Sequence, residues 1–260
     1  MKPVETEDIL DYAVYADDRE ACIMNISDWV ASGDHCRWLA CLNPHSFVSA
    51  QDDPQFAEAL HDADWLIPDG SGIVLAAKIL GRRIRGRITG SDIFWGLQET
   101  LNRSGGCSVF FLGSTAKTLS MIRTKMSQDF PHIEIAGTYS PPYKTEFNEE
   151  DNGLMVEAIN RVKPDVLWVG MTAPKQEKWI CQNKALLNVK FIGAIGAVFD
   201  FYSGKVKRSH PLFQELGLEW LPRLMREPRR LWRRNLISAP RFLVNLLLMR
   251  ARSLGTKQKY

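Results

Sequence analysis

Five short polar clusters in this 260-residue chain carry residue types that can do chemistry, and each follows a run of apolar residues. The one with the most catalytic content is Pro68-Asp69-Gly70. It sets a single carboxylate in a tight turn between the apolar run 65–67 and a helical stretch over 72–80 that Gly81 closes. In an open α/β sheet, the carboxyl end of a strand is where ligands bind, so Asp69 is a candidate general base. The same turn also fits a plainer role, with the Asp69 carboxylate capping the following helix.

Asn43-Pro44 follows the apolar run 37–42 and has the residue types of an N-cap and a first helical position. Exposed backbone N–H groups there would suit an anionic ligand, and a plain helix start is the equal alternative. Gly113-Ser114-Thr115 is a glycine turn of the nucleotide-binding type, without either G-x-G-x-x-G or G-x-x-x-x-G-K-[ST]. Lys175 and Gln176 open a helix after the run 165–170, and the run 191–195 exits through Gly196 toward Asp200. Outside these five, Arg82, Arg83, Arg85 and Arg87 precede a helix over 92–102, apt for a diphosphate or equally for a solvated basic loop. Asp62-Ala63-Asp64 resembles a metal-binding pair, but it lies before its strand, at the amino end, so no metal site is assigned.

Six strand-like runs must position these clusters, over 37–42, 64–68, 107–112, 133–137, 165–170 and 191–195, and they alternate with helices such as 116–127 and 149–162. Alternation of this kind predicts an α/β fold, a Rossmann-like parallel sheet with helices on both faces. Such a sheet collects its strand ends along one edge, which brings the five clusters together.

Charge divides the chain. Net charge is +3, but residues 221–260 hold eleven Lys/Arg against one acidic residue, Glu227, while the other 220 residues hold 22 basic and 29 acidic groups. We read an α/β catalytic domain over 1–216 and an Arg-rich helical appendage over 217–260. The appendage mixes arginines four apart (Arg226/Arg230, Arg229/Arg233) with Leu, Trp and Phe, as an amphipathic helix in a membrane interface does. A docked C-terminal helix with a basic outer face is the alternative. Five cysteines in no paired spacing, no basic-then-apolar leader in residues 1–20 and no bilayer-length apolar stretch point to the reducing cytoplasm.

From about Trp38 to Asn235 the chain resembles the WecG/TagA/CpsF family of bacterial glycosyltransferases. The motifs are Asn43-Pro44, Pro68-Asp69-Gly70, Arg87 with Thr89-Gly90-Ser91-Asp92, Ala173-Pro174-Lys175-Gln176-Glu177, Gly196 to Asp200 with Phe201-Tyr202-Ser203-Gly204, and Gly217-Leu218-Glu219-Trp220 with Arg223. The resemblance implies an inverting, metal-independent transferase without a cofactor. It would move a sugar from a UDP-sugar to a polyprenyl-diphosphate-linked sugar at the anionic inner face of the cytoplasmic membrane. Asp69 matches the family's base; Arg87, Gln176 and Asp200 match donor- or acceptor-site residues, with Cys41, Asn43, Gly113 and Lys175 beside them. Arg223, Arg230 and Arg233 match tail arginines that complete the site over the diphosphate. Cys41 stands where the family usually has Thr, and His45 where an acidic residue is common. These departures lean toward a glucosyl donor in exopolysaccharide synthesis, with N-acetylmannosamine and its uronic acid also used in the family. A homo-oligomer is compatible with the sequence. Two rival readings are a nicotinamide-dependent oxidoreductase, which the absent glycine fingerprint disfavours, and a nucleic-acid-binding protein, for which no recognition motif is visible.

Overall fold

A computed structural model describes residues 3–206 and 237–257 of the chain. Its centre is a six-stranded sheet of β3 (Arg37–Leu42), β4 (Trp65–Pro68), β5 (Cys107–Gly113), β6 (Ile133–Tyr139), β7 (Val166–Gly170) and β8 (Phe191–Ala194), in the order β4-β3-β8-β7-β5-β6. Every neighbouring pair runs parallel. These strands read as continuous apolar runs because both faces are covered. In β7, Val166 and Trp168 enter one core while Leu167 and Val169 enter the other, the alternation a pleated strand imposes.

Helices α2 (Pro44–Asp52), α3 (Pro54–Asp62), α4 (Ser71–Leu80), α7 (Glu149–Asn160), α8 (Lys175–Asn183) and the C-terminal α10 (Ala239–Lys257) supply the first core. Helices α1 (Arg19–Ser32), α5 (Gly90–Ser104), α6 (Ala116–Asp129) and the short α9 (Val198–Tyr202) supply the second. The connections through α2–α3, α7 and α8 carry the chain one way along the sheet on the first face, and those that reach β5 through α5 and β6 through α6 return on the second, as right-handed crossovers require. Helix α4 stays on the first face before the chain crosses to α5. The local signals are sound: Asp18 caps α1, Thr115 caps α6, and Asn148 forms a capping box with Asp151 at α7.

One element has no counterpart in the sequence reading. A hairpin of β1 (Thr6–Ile9) and β2 (Tyr12–Tyr15) turns through Leu10 and Asp11, both at positive φ, and packs beside β4. Two left-handed residues are what a two-residue hairpin turn needs, but Gly or Asn usually supplies them. The polar Thr6, Glu7 and Asp8 hide the strand pattern as well.

The strand exits are packed without slack. Gly113, at φ +116°, faces Gly170 across the β5–β7 ladder, and a Cβ there would stand 2.5 Å from the Gly170 carbonyl oxygen. Gly113→Ala is therefore expected to lower unfolding free energy by at least about 2 kcal/mol in urea denaturation. A loss below about 0.5 kcal/mol would contradict the close approach of β5 and β7.

Candidate active site

The exits of β3 and β4 are bound to each other. Asp69 is the first residue after β4, and its N–H donates to the Leu42 carbonyl of β3 at 2.8 Å. The Pro68 carbonyl accepts from Ile88 N–H at 3.1 Å, which draws the segment carrying Arg87 to the same place. A Cβ at Gly72 would collide with the Pro44 ring, so the starts of α2 and α4 are in contact. The N-cap position of α4 is Gly70, which has no side chain to bond the first turn.

Asn43 behaves otherwise. Its Oδ1 accepts the N–H groups of His45 and Ser46, both at 3.0 Å, while Ser46 Oγ accepts the N–H of Asn43 at 2.7 Å. Phe47 N–H goes to the Asn43 carbonyl, and Pro44 has no N–H to offer. The expectation that this helix start receives an anion is corrected, because its donors are already taken by its own cap. The N-cap residues of α4 and α8, Gly70 and Pro174, make no side-chain cap bond.

Cys41 lies under this junction, with its thiol 3.8 Å from the Ala194 carbonyl of β8. Burial pushes the thiol well above its ordinary pKa, and the charges of the Asp69 and Glu177 carboxyl groups add to the effect. Gln176 and Glu177, in the first turn of α8, come to the same crevice from β7. The Gln176 carboxamide accepts from Met171 N–H at 3.3 Å and donates to Glu177 Oε1 at 2.8 Å. A Cβ on Gly196, in the exit of β8, would stand 3.5 Å from both amide atoms. The chain leaves β3 toward the first core and β8 toward the second, which opens the crevice between their ends.

Glu177 ends the stretch Ala173-Pro174-Lys175-Gln176-Glu177, and the sequence assigns it no role. It is 2% exposed, its Oε2 has no hydrogen-bond partner among the described residues, and burial raises its pKa to about 7. The signal was its spacing: three residues before Ile180, it is a carboxylate on the inward face of a helix.

Other predicted residues lie farther off. Gly113 ends β5, four strands from β4, so a ligand touching both Gly113 and Asp69 must span roughly 19 Å. Lys175 is engaged elsewhere: it donates to the Lys144 carbonyl and stands 3.5 Å over the Phe147 ring, fastening the loop before α7. Burial lowers its pKa. Asp200, in α9, pairs with Lys205 at 3.3 Å. Of the four arginines, Arg85 pairs with Asp17 and Asp18 and Arg82 with Glu7, while Arg87 lies in the segment that Ile88 N–H ties to the β4 exit. A cavity of about 220 Å³ opens beside it, lined by Arg85, Arg87, Ile88 and Asp92 among others. Arg223, Arg230 and Arg233 lie outside the described residues.

The C-terminal helix docks beside this edge. His45 Nδ1 and Ser238 Oγ are 2.9 Å apart, Arg241 makes a two-pronged pair with Asp52, and Phe242 meets Phe47 edge to face. The outer face of α10 carries Leu243, Val244, Leu247 and Leu248, 46–63% exposed; the arginines at 223–234 lie outside the described residues. Among the described residues no helix is long and apolar enough to cross a membrane.

The model of the glycosyl transferase WecG/TagA/CpsF family matches residues 7–256. Similar curated proteins share one name, N-acetylglucosaminyldiphosphoundecaprenol N-acetyl-beta-D-mannosaminyltransferase. That of Bacillus spizizenii is 32% identical over 210 residues, covering 81% of this chain and 78% of the relative. That of Bacillus subtilis is 31% identical over 209 residues, covering 80% and 78%. One from Staphylococcus aureus is 26% identical over 211 residues, covering 80% and 79%.

The Glu177 carboxyl gives the crevice a pH signature. Because its folded pKa is raised from 4.5 to about 7, the folded chain binds more protons than the unfolded chain between those values. Stability falls as pH rises through that window, and the deficit is complete above it and absent below it. Glu177→Gln removes the deficit, so its unfolding free energy relative to the parent should rise by about 2 kcal/mol between pH 5 and pH 8 in urea titrations. A difference independent of pH would show that Glu177 is not held neutral.

Proposed function

The chain belongs to the WecG/TagA/CpsF family of glycosyl transferases, and on that premise we propose that it moves a sugar from UDP onto a polyprenyl-diphosphate-linked sugar, inverting the anomeric carbon. The observation that carries this reading is the position of Asp69: a carboxylate at a strand exit, tied to β3 through its N–H, beside the start of α4 and the segment that carries Arg87.

In this mechanism Asp69 takes the proton of an acceptor hydroxyl. The oxygen attacks the anomeric carbon from the face opposite the UDP, and the bond from that carbon to the β-phosphate oxygen breaks. Charge then grows on the leaving diphosphate, where the Arg87 guanidinium and the backbone N–H groups opening α4 would meet it. Arg223, Arg230 and Arg233 are proposed to close over the diphosphate of the acceptor. The relatives are named for N-acetylmannosamine and for an N-acetylglucosaminyl diphosphoundecaprenol acceptor, and both are the first choice here. The lean toward glucose loses the part that rested on His45, because that ring holds Ser238 of the C-terminal segment and so serves docking.

Such an acceptor is embedded in a bilayer, so the crevice has to face one. The outer face of α10 suits that need: four large aliphatic side chains lie together on a helix pinned through Ser238 and His45 two residues from Asn43. A helix of this kind lies in the interface. The proposal is accordingly a peripheral protein of the anionic inner leaflet, with residues 217–260 as its membrane-facing appendage.

Asp69→Asn should lower turnover by roughly 10²–10⁴-fold, measured as acceptor-dependent UDP release, and near-parental turnover would remove Asp69 from the role. Glutamate at both Leu243 and Leu247 should weaken binding to anionic vesicles at least about tenfold in flotation, since each buried leucine contributes roughly 1.5–3 kcal/mol. Unchanged flotation would assign membrane contact to another surface.

A further inference from the structure

Glu177 takes no part in the mechanism above, yet it sits under the crevice. One carboxyl oxygen accepts from Gln176 Nε2 at 2.8 Å, and the other meets no donor among the described residues at 2% exposure of the side chain. A bare buried oxygen of this kind is unfavourable, and a residue such as Met would fill the same space without it. Holding the fold is therefore a poor account of Glu177.

Its geometry says what else it does. Gln176 joins two loops: its Oε1 accepts Met171 N–H in the exit of β7, and its amide lies against Gly196 in the exit of β8. A carboxamide has two ends and two N–H hydrogens, and these contacts use the oxygen and one hydrogen. Met171 N–H holds the oxygen end, and the acceptor at Glu177 takes one hydrogen of the nitrogen end, which fixes where the second N–H is aimed. A neutral carboxyl can be that acceptor without setting another negative charge beside Asp69, whose ionised form the reaction needs, or near a departing diphosphate.

We propose that Glu177 is a positioning residue for sugar transfer: its carboxyl sets the orientation of the Gln176 carboxamide, and with it the β7 and β8 exit loops, beneath the crevice that Asp69 borders. This inference rests on the transferase reading and deepens it, giving Gln176 the task of holding the sugar and Glu177 the task of holding Gln176.

The test uses the full chain with UDP-N-acetylmannosamine and a polyprenyl-diphosphate N-acetylglucosamine acceptor. Donor kcat/KM is measured for the parent, Glu177→Met, Glu177→Gln, Gln176→Ala and the Glu177→Met/Gln176→Ala double variant, well below the lowest melting temperature of the set. Glu177→Met should lose on the order of tenfold, Glu177→Gln should recover most of that loss, and Glu177→Met should add nothing in the Gln176→Ala background. A loss that adds to that of Gln176→Ala, or no loss at all, overturns the proposal. So does a Glu177→Gln variant impaired tenfold or more, a result that stands even if the methionine variant does not fold. No transfer by the parent from this or any other UDP-sugar would instead contradict the transferase reading, and the inference would fall with it.

Discussion

Everything in this structure depends on the parallel ladder that joins β4, β3, β8 and β7. A parallel sheet aligns its strands head to head, so the four exits emerge on one edge whatever their distance in sequence. Asn43, Asp69 and Gln176 thus come together along a line of strand ends although 133 residues separate the first from the last. The hydrogen bond from Asp69 N–H to the Leu42 carbonyl extends that ladder one residue past β4 and fixes the carboxylate against β3. Dense packing beneath, through Gly72 on Pro44 and Gly113 on Gly170, leaves the exits little freedom to drift.

Charge at this edge is rationed. Cys41 is kept neutral by burial and by two adjacent carboxyls, Glu177 is held toward its neutral form, and Arg82 and Arg85 are occupied by acids of the N-terminal region. The β4 exit brings together the Asp69 carboxylate, the segment that carries Arg87 and the start of α4. That set suits a reaction in which a proton is removed on one side and a diphosphate gains charge on the other.

Much of the fold was legible because burial on both faces writes strands as unbroken apolar runs, such as Trp38-Leu39-Ala40 or Val166-Leu167-Trp168-Val169. The β1–β2 hairpin was not, since its turn residues Leu10 and Asp11 carry no glycine signal. At the site, the place of Asp69 at a strand end followed from Pro-Asp-Gly after an apolar run. The partners of individual side chains did not follow, because they are tertiary facts: the distance of Arg85 from Asp17 or of Lys175 from Phe147 is set by how loops fold back. The charge count over 221–260 likewise concealed the apolar outer face of α10, where Phe242 and Leu246 turn inward while Leu243 and Leu247 turn out.

The central claim is that Asp69 activates an acceptor hydroxyl for direct displacement at the anomeric carbon, in a family whose relatives are named as makers of a beta linkage. The most direct measurement is the stereochemistry of the glycosidic bond formed from an α-linked UDP-sugar, read from the anomeric coupling and through-space contacts of the isolated product by NMR. A single displacement driven by one base predicts inversion, a β-linked product. An α-linked product would require a different mechanism and would contradict the account.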